Sequence, residues 1–201
     1  STSTMCSQPT ATGTANSTLA CVINDGSFQS AELPFGTVSL RNEAIDAANY
    51  DTALKERIQK RVRPALKREI LGNPCFANRQ RIYWTGQAAW AVATYTHPER
   101  ALNAYVAISR QDIDTLLERL RGGNWQTMPK LVLSADAEKQ RAAIATQATR
   151  DWKAVQDSFV REDLMAGLSL FRAMLESANP NARVIFARSG HYLYGYALEH
   201  Y

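Results

Sequence analysis

The run Ala11-Thr-Gly-Thr-Ala-Asn-Ser-Thr18 consists of small and hydroxyl residues, and the interpretation of the whole chain depends on it. It leads into the apolar run Leu19-Ala-Cys-Val-Ile23, the turn Asn24-Asp25-Gly26 and two strand-like segments at residues 27–35 and 36–40. Asp-Gly between two strand-like runs is a strong hairpin signal, because a tight primed turn needs positive φ at its centre. The stretch therefore predicts a loop followed by a three-stranded antiparallel meander.

Small residues beside a hairpin let backbone N–H groups approach an anion closely. We therefore treat this loop, together with a glycine at a later strand-to-helix turn, as a candidate phosphate-binding site. Its members are Thr12, Gly13, Thr14, Asn16, Ser17, Thr18 and Gly86. A plain structural turn is the competing interpretation of the loop, and close packing between strand and helix is that of Gly86. No residue is identified as catalytic, and no spacing of His, Asp or Glu is typical of a metal site.

Further along the chain, apolar spacing predicts helices alternating with two more strands. The predicted helices cover residues 52–71, with Pro64 as a kink or break, 86–97, 109–121 with Ser109 as N-cap, 135–149, 158–177, and a closing helix from Gly190; the strands cover 81–85 and 183–187. Three antiparallel strands followed by strand–helix pairs predict an α/β fold with a mixed five-stranded sheet covered by helices on both faces. Residues 1–10 are expected to be flexible, and residues 11–201 to form one domain.

The composition and net charge of the chain exclude few classes of function. The chain of 201 residues carries a net charge of +4, with a pI near 9.0. No apolar run approaches the ~20 residues that a membrane helix requires, and no signal peptide is visible. Cys6, Cys21 and Cys75 lack CxxC spacing, so Cys21 is expected to be a buried thiol, and a disulfide at Cys6 stays open for an exported protein. These features favour the cytoplasm and leave the periplasm open.

One basic segment contributes much of the positive charge: Lys55, Arg57, Lys60, Arg61, Arg63, Lys67 and Arg68. The first interpretation is the solvated face of an amphipathic helix. A rim that attracts a polyanionic substrate is the second, and nucleic-acid binding is the third. The absence of a zinc-finger, RNA-recognition or helix-turn-helix signature disfavours nucleic acid as a partner.

Several phrases, in order, resemble the second domain of the exopolyphosphatase/guanosine pentaphosphatase (Ppx/GppA) family, which belongs to the actin-like ATPase superfamily with its ribonuclease H-like fold. The loop at residues 11–18 occupies the place of the family phrase D-x-G-G-G-S-T-E. The other matching phrases are Glu32-Leu-Pro-Phe-Gly-Thr-Val-Ser-Leu40, the turn Trp84-Thr-Gly-Gln-Ala88, the segment Ala107 to Leu120, and Arg161-Glu-Asp-Leu-Met-Ala-Gly-Leu168. The resemblance extends over about residues 11–198.

The resemblance implies a two-domain phosphohydrolase that cleaves phosphoanhydride bonds of polyphosphate or of a hyperphosphorylated guanine nucleotide, with Mg²⁺. It also implies a first domain that supplies the base activating water, and a face on which that domain, or a second copy of this chain, could dock. Ala11 and Thr18 stand where the family phrase has Asp and Glu. We therefore expect the isolated chain to be inactive, and a catalytically eroded pseudo-enzyme that acts as a binding or scaffolding module is the alternative.

Overall fold

The computed structural model describes residues 8–12, 17–22, 28–77, 80–179 and 181–188. Within these ranges the chain forms a mixed α/β fold around one sheet of six strands. The strands are β1 (Gln8–Thr12), β2 (Ser17–Val22), β3 (Phe28–Leu33), β4 (Arg81–Thr85), β5 (Tyr105–Ile108) and β6 (Arg183–Ala187). Their spatial order is β3-β2-β1-β4-β6-β5.

The sheet combines an antiparallel and a parallel part. β1, β2 and β3 pair antiparallel, β4 runs parallel to both β1 and β6, and β5 closes the edge antiparallel to β6. The predicted strands at residues 81–85 and 183–187 are confirmed. The predicted count of five strands is wrong. It omits β1 and the four-residue β5, which is too short to give a periodic signal, and it includes residues 36–40, of which 37–40 are helical.

The predicted meander was displaced along the chain. A strand, β1, begins at Gln8, inside the segment expected to be flexible, and includes Ala11 and Thr12 of the predicted loop. Ser17 and Thr18, at the other end of that loop, belong to β2. The predicted strand at residues 36–40 is instead part of the helix α1 (Thr37–Asn42). Pro34 directly follows β3 and lacks the N–H that a ladder needs, and the Ser39 hydroxyl accepts a hydrogen bond from the Gly36 N–H at 2.7 Å, which starts the helical turn.

Most of the remaining chain is helical. The helices predicted at 52–71, 86–97, 109–121 and 158–177 are confirmed with shifted ends, whereas the one predicted at 135–149 is two helices, at 135–138 and 141–158. After α1 come α2 (Tyr50–Arg57), a π-helical turn (Ile58–Val62), α3 (Arg63–Leu71), α4 (Pro74–Ala77), α5 (Gln87–Thr96), α6 (Arg110–Arg121), α7 (Ala135–Glu138), α8 (Arg141–Ser158) and α9 (Arg161–Ser177), with 3₁₀ turns at Pro98–Arg100 and Asn124–Gln126. Pro64 lies in the first turn of α3, where its missing N–H costs least. The wider π turn before it keeps the segment helical.

The core lies between one face of the sheet and the helices packed on it. Along β4 the side chains of Ile82 and Trp84 are buried, while their neighbours are half-buried on the opposite face. Trp84 stacks on Phe171 of α9 with ring planes 8° apart. On the opposite face Tyr83 and Tyr105 form an edge-to-face pair, with ring centroids 6.5 Å apart. The closing helix predicted to begin at Gly190 lies outside the described residues, so cover on this second face stays a prediction.

A disulfide joins Cys21 in β2 to Cys75 in α4, across 54 positions of the chain. The prediction that Cys21 is a simple buried thiol is therefore wrong, although the residue is fully buried. Sequence spacing gave no signal, because the pairing depends on α4 packing against β2 after the long basic helix. The bond ties the antiparallel part of the sheet to the helical layer.

None of the helices formed by the described residues combines the length and the apolarity that crossing a membrane would take.

Candidate functional site

The candidate phosphate site lies at the edge of the sheet where β1 and β4 end. In the parallel ladder Ala11 pairs with Thr85, so the next residues, Thr12 and Gly86, lie at the same edge of the sheet. Thr12 pairs in turn with Ser17 at the start of β2. Neighbouring strands lie about 4.8 Å apart, so this register brings three of the predicted residues to one edge.

The other predicted residues have different outcomes. Gly13, Thr14 and Asn16 lie outside the described residues, and for Thr12 only the backbone is described. The Thr18 side chain is half-buried and, because side chains alternate along a strand, it lies on the face opposite Ser17. Phosphate binding by all seven candidate residues stays a prediction.

Gly86 begins α5 in a conformation that suits glycine. Its φ of 102° and ψ of 177° lie where a Cβ atom is strained. No side chain caps the helix there, so the first backbone N–H groups of α5 have no capping partner among the described side chains. The amides of a helix N-terminus and the helix dipole together favour a bound anion. The exposed Gly86 turn can therefore present donors to a phosphate.

Ser17 adds a buried hydroxyl at the same edge. The residue is 1% exposed, and its Oγ finds no hydrogen-bond partner within the described part of the chain. A buried polar group left without a partner costs about 1–3 kcal/mol. The hydroxyl is thus available to a polar ligand that reaches it.

The guanidinium of Arg188 also lies at this edge, but it is engaged in an ion pair within the protein. Arg188 follows β6 and bonds Asp151 of α8 with Nη1 and Oδ2 2.5 Å apart, while its Nε donates to the Asn103 carbonyl at 3.1 Å. Gln147 donates to the second oxygen of Asp151 at 2.8 Å. This largely buried pair fastens α8 to the sheet.

Magnesium does not fit the loop as the chain provides it. Residues 11–18 contain no carboxylate, and the hard Mg²⁺ ion binds proteins chiefly through carboxylates. Among the described residues, no three His, Cys, Asp or Glu side chains come together to form a metal site. No chemical step is therefore assigned to a metal here.

His97 is a titratable group whose surroundings the sequence did not reveal. It ends α5 as predicted, but its Nδ1 lies 3.2 Å from a Glu99 carboxylate oxygen and its Nε2 lies 3.1 Å from an Asp112 oxygen. The hydrogen bond with Glu99 is the main reason that the pKa of His97 is raised, and Asp112 adds to it against the effect of burial. Burial acts to raise the pKa of Glu99, yet the bond with His97 leaves it lowered.

We expect His97→Gln to destabilise the protein more at pH 5.5 than at pH 9. A raised pKa in the folded state means that the stabilisation is fully present below the unfolded value of about 6.5 and is lost as pH rises through the folded value. For this partly exposed group the loss at pH 5.5 is of the order of 1 kcal/mol. Thermal melts of the parent and variant at both pH values measure it, and an equal difference at the two pH values would contradict the ion pair.

The basic segment is a solvated face that carries its own counterions. Its cations point mostly to solvent, and Lys60 pairs with Glu56 at 2.9 Å. Arg57 and Arg61 both approach Glu43. This arrangement agrees with the first of the three interpretations, and the substrate-rim and nucleic-acid interpretations stay untested.

Comparison with known proteins shows which solved structures share this fold. No family model matches the sequence, and no curated protein matches it significantly. The type II variant of the Aquifex aeolicus Ppx/GppA phosphatase superposes with a TM-score of 0.58 at 12% identity, covering 90% of this chain and 53% of that structure. The chain shares the fold of a Ppx/GppA phosphatase domain.

Two further structures agree. A second structure of the Aquifex aeolicus family member gives a TM-score of 0.56 at 14% identity over 98% of this chain and 57% of its own. An exopolyphosphatase from Cytophaga hutchinsonii gives 0.53 at 11% identity over 90% and 52%. This chain thus spans about half the length of these Ppx/GppA structures.

Proposed function

We propose that this chain is the phosphate-binding second domain of a Ppx/GppA-like phosphohydrolase. The observation that carries the proposal is the register that sets Gly86 and the uncapped start of α5 beside the end of β1. A fold shared with one half of these phosphatases supports it. The ligand would be polyphosphate or a hyperphosphorylated guanine nucleotide.

In this proposal the domain holds the phosphate and does not cleave it. The α5 amides and the Ser17 hydroxyl donate hydrogen bonds to phosphate oxygens, the form of stabilisation on which phosphoryl transfer depends most. A first domain on another part of the protein positions the attacking water. The chain alone is therefore expected to bind and not to turn over, and any Mg²⁺ would be held largely by groups outside residues 11–18.

The proposal is tested by thermal-shift titration of the chain with polyphosphate, guanosine tetraphosphate and inorganic phosphate. Ligand at 100 times its Kd stabilises by about 2.7 kcal/mol, which corresponds to a rise of roughly 5–11 °C in a domain of this size. A saturable rise with polyphosphate or the guanine nucleotide is expected. No rise at millimolar concentrations of either ligand would overturn the proposal.

The Ser17→Ala variant tests whether the Ser17 hydroxyl binds the ligand or stabilises the fold. Because the Oγ has no partner within the described part of the chain, its removal should leave the ligand-free melting temperature unchanged or slightly higher. The rise caused by polyphosphate should fall, with affinity reduced by roughly tenfold for one lost hydrogen bond to an anion. Thr146→Ala, at an exposed position of α8, is the control and should keep the full rise. A ligand-free loss of 1 kcal/mol or more with unchanged affinity would assign Ser17 a structural role.

A pseudo-enzyme that serves as a binding or scaffolding module is the second candidate. Ala11, which pairs with Thr85 beside the site, is the observation in its favour, because the family phrase places a catalytic carboxylate there. Ala11→Asp in the full-length protein discriminates between the two. Hydrolysis should increase if the protein is a phosphohydrolase and should stay absent if it is a scaffolding pseudo-enzyme.

We propose an oxidising compartment for the protein. Disulfides persist in the periplasm and outside cells and are rare in the cytosol, and the Cys21–Cys75 bond supports the periplasm over the cytoplasm that composition favours. We also propose that a first domain, or a second copy of this chain, docks on this domain.

A further inference from the structure

A cavity of about 550 Å³ lies at the end of the sheet opposite Gly86. It opens where β6 begins, at Arg183 and Val184, and where the antiparallel β5 ends, at Ile108. The start of α6 and the end of α9 complete its wall. Since β4 runs parallel to β6, the length of a five-residue strand, roughly 16 Å, separates this cavity from the Gly86 edge.

Basic side chains outnumber acidic ones in the lining of this cavity. Arg100 comes from a 3₁₀ turn, Arg110 from the first turn of α6 and Arg183 from the first position of β6. His97 adds a fourth basic group, and Asp112 is the one carboxylate among the lining residues. Three independent elements thus bring positive charge to one concave surface.

The carboxylates near the cavity are already engaged. Asp112 accepts from the Ser109 N–H at 2.7 Å and from His97. Glu99 bonds His97 and lies 3.4 Å from the Arg100 Nε. Glu176 pairs with Arg110 at 2.5 Å and is shared with Arg63 of α3 and with Arg172, one turn earlier in α9.

Arg183 differs from the other two arginines. Its backbone N–H bonds the Gln80 carbonyl at 2.7 Å, and its exposed guanidinium forms no ion pair with a carboxylate in the described ranges. Guanidinium groups bind phosphate oxygens through paired N–H donors. A cavity of this size suits a small ligand, and Leu175 and Ile108 supply apolar contacts at its wall.

We propose that this cavity binds a small anion with two adjacent phosphate groups, at a site separate from the Gly86 edge. Arg183 provides a guanidinium without a carboxylate partner among the described residues, and Arg100 and Arg110 turn from their carboxylate partners toward the same anion. The site would give the domain two phosphate-binding positions at opposite ends of one sheet.

The test follows the His97 imidazole by ¹H–¹⁵N NMR while inorganic pyrophosphate is added at constant ionic strength, with the ring signals assigned from His97→Gln. A saturable shift is expected in the parent, with affinity reduced at least tenfold in Arg183→Gln. Arg150→Gln removes an exposed arginine of α8 outside the cavity and should bind like the parent. No saturable shift in the parent, or equal affinity of the two arginine variants, would overturn the proposal.

Ser17→Ala keeps this test independent of the proposed function. It should leave the pyrophosphate titration of His97 unchanged, even where it weakens the thermal shift with polyphosphate. Loss of the His97 shift in Ser17→Ala would show that the two effects arise at one site and would contradict a separate cavity. Failure at the cavity alone would leave the Gly86 site standing.

Discussion

Reduction of the Cys21–Cys75 disulfide is expected to destabilise the protein by about 4 kcal/mol, a fall in melting temperature of roughly 8–16 °C. The bond closes a loop of 54 positions, and a cross-link over such a distance removes much conformational entropy from the unfolded chain. Cys75→Ser should reproduce the effect without reductant, because Cys75 is the less buried partner.

Thiol titration under denaturing, non-reducing conditions provides an independent check. Of the three cysteines, two are paired, so one free thiol per chain is expected. Cys6→Ser serves as the matched control and should bring that count to zero while leaving the melting temperature unchanged. Three free thiols, or a melting temperature that is the same with and without reductant, would contradict the disulfide.

Phe171→Ala is expected to destabilise the protein by about 3–5 kcal/mol. Phe171 is 1% exposed and Trp84 is fully buried, and their stacked rings join α9 to the centre of the sheet. Truncation removes the aromatic contact and leaves a cavity beside Trp84, which neighbouring helices fill only in part. Chemical denaturation with urea measures the loss.

Val132→Ala is the control for this substitution, because Val132 is 68% exposed and should change stability by less than about 0.5 kcal/mol. A loss below 1 kcal/mol for Phe171→Ala would mean that α9 does not anchor the core. A loss in the expected range with an unchanged m-value would show that the folded state otherwise keeps its compactness.

Periodic segments were predictable from the sequence, and irregular ones were not. The stripe of Ile113, Leu116 and Leu120 in α6 fixed both the helix and its buried face, and Ser109 caps it as predicted. The meander was displaced because residues 36–40 alternate like a strand, while Pro34 and the Ser39 cap favour a helix there. The hydrophobic periodicity of a short segment carries no information on such tertiary and capping effects.

The same limit applies to the functional groups. Gly86 could be identified, since a glycine between a strand and a helix marks a special backbone conformation. The contacts of His97 with Asp112, and the convergence of Arg100 and Arg183 on one cavity, join residues far apart in the chain. Only the folding of β5 and β6 side by side brings them together.

The central claim is that phosphate binds where β1 ends and α5 begins. The most direct test is a ¹H–¹⁵N NMR titration of the labelled chain with tripolyphosphate, following the backbone amides of Gly86, Gln87 and Ala88. The account predicts large, saturable shifts at these amides, with residues of the exposed α7 unmoved. Shifts spread over the basic segment at residues 55–68, with the Gly86 amides unchanged, would contradict it.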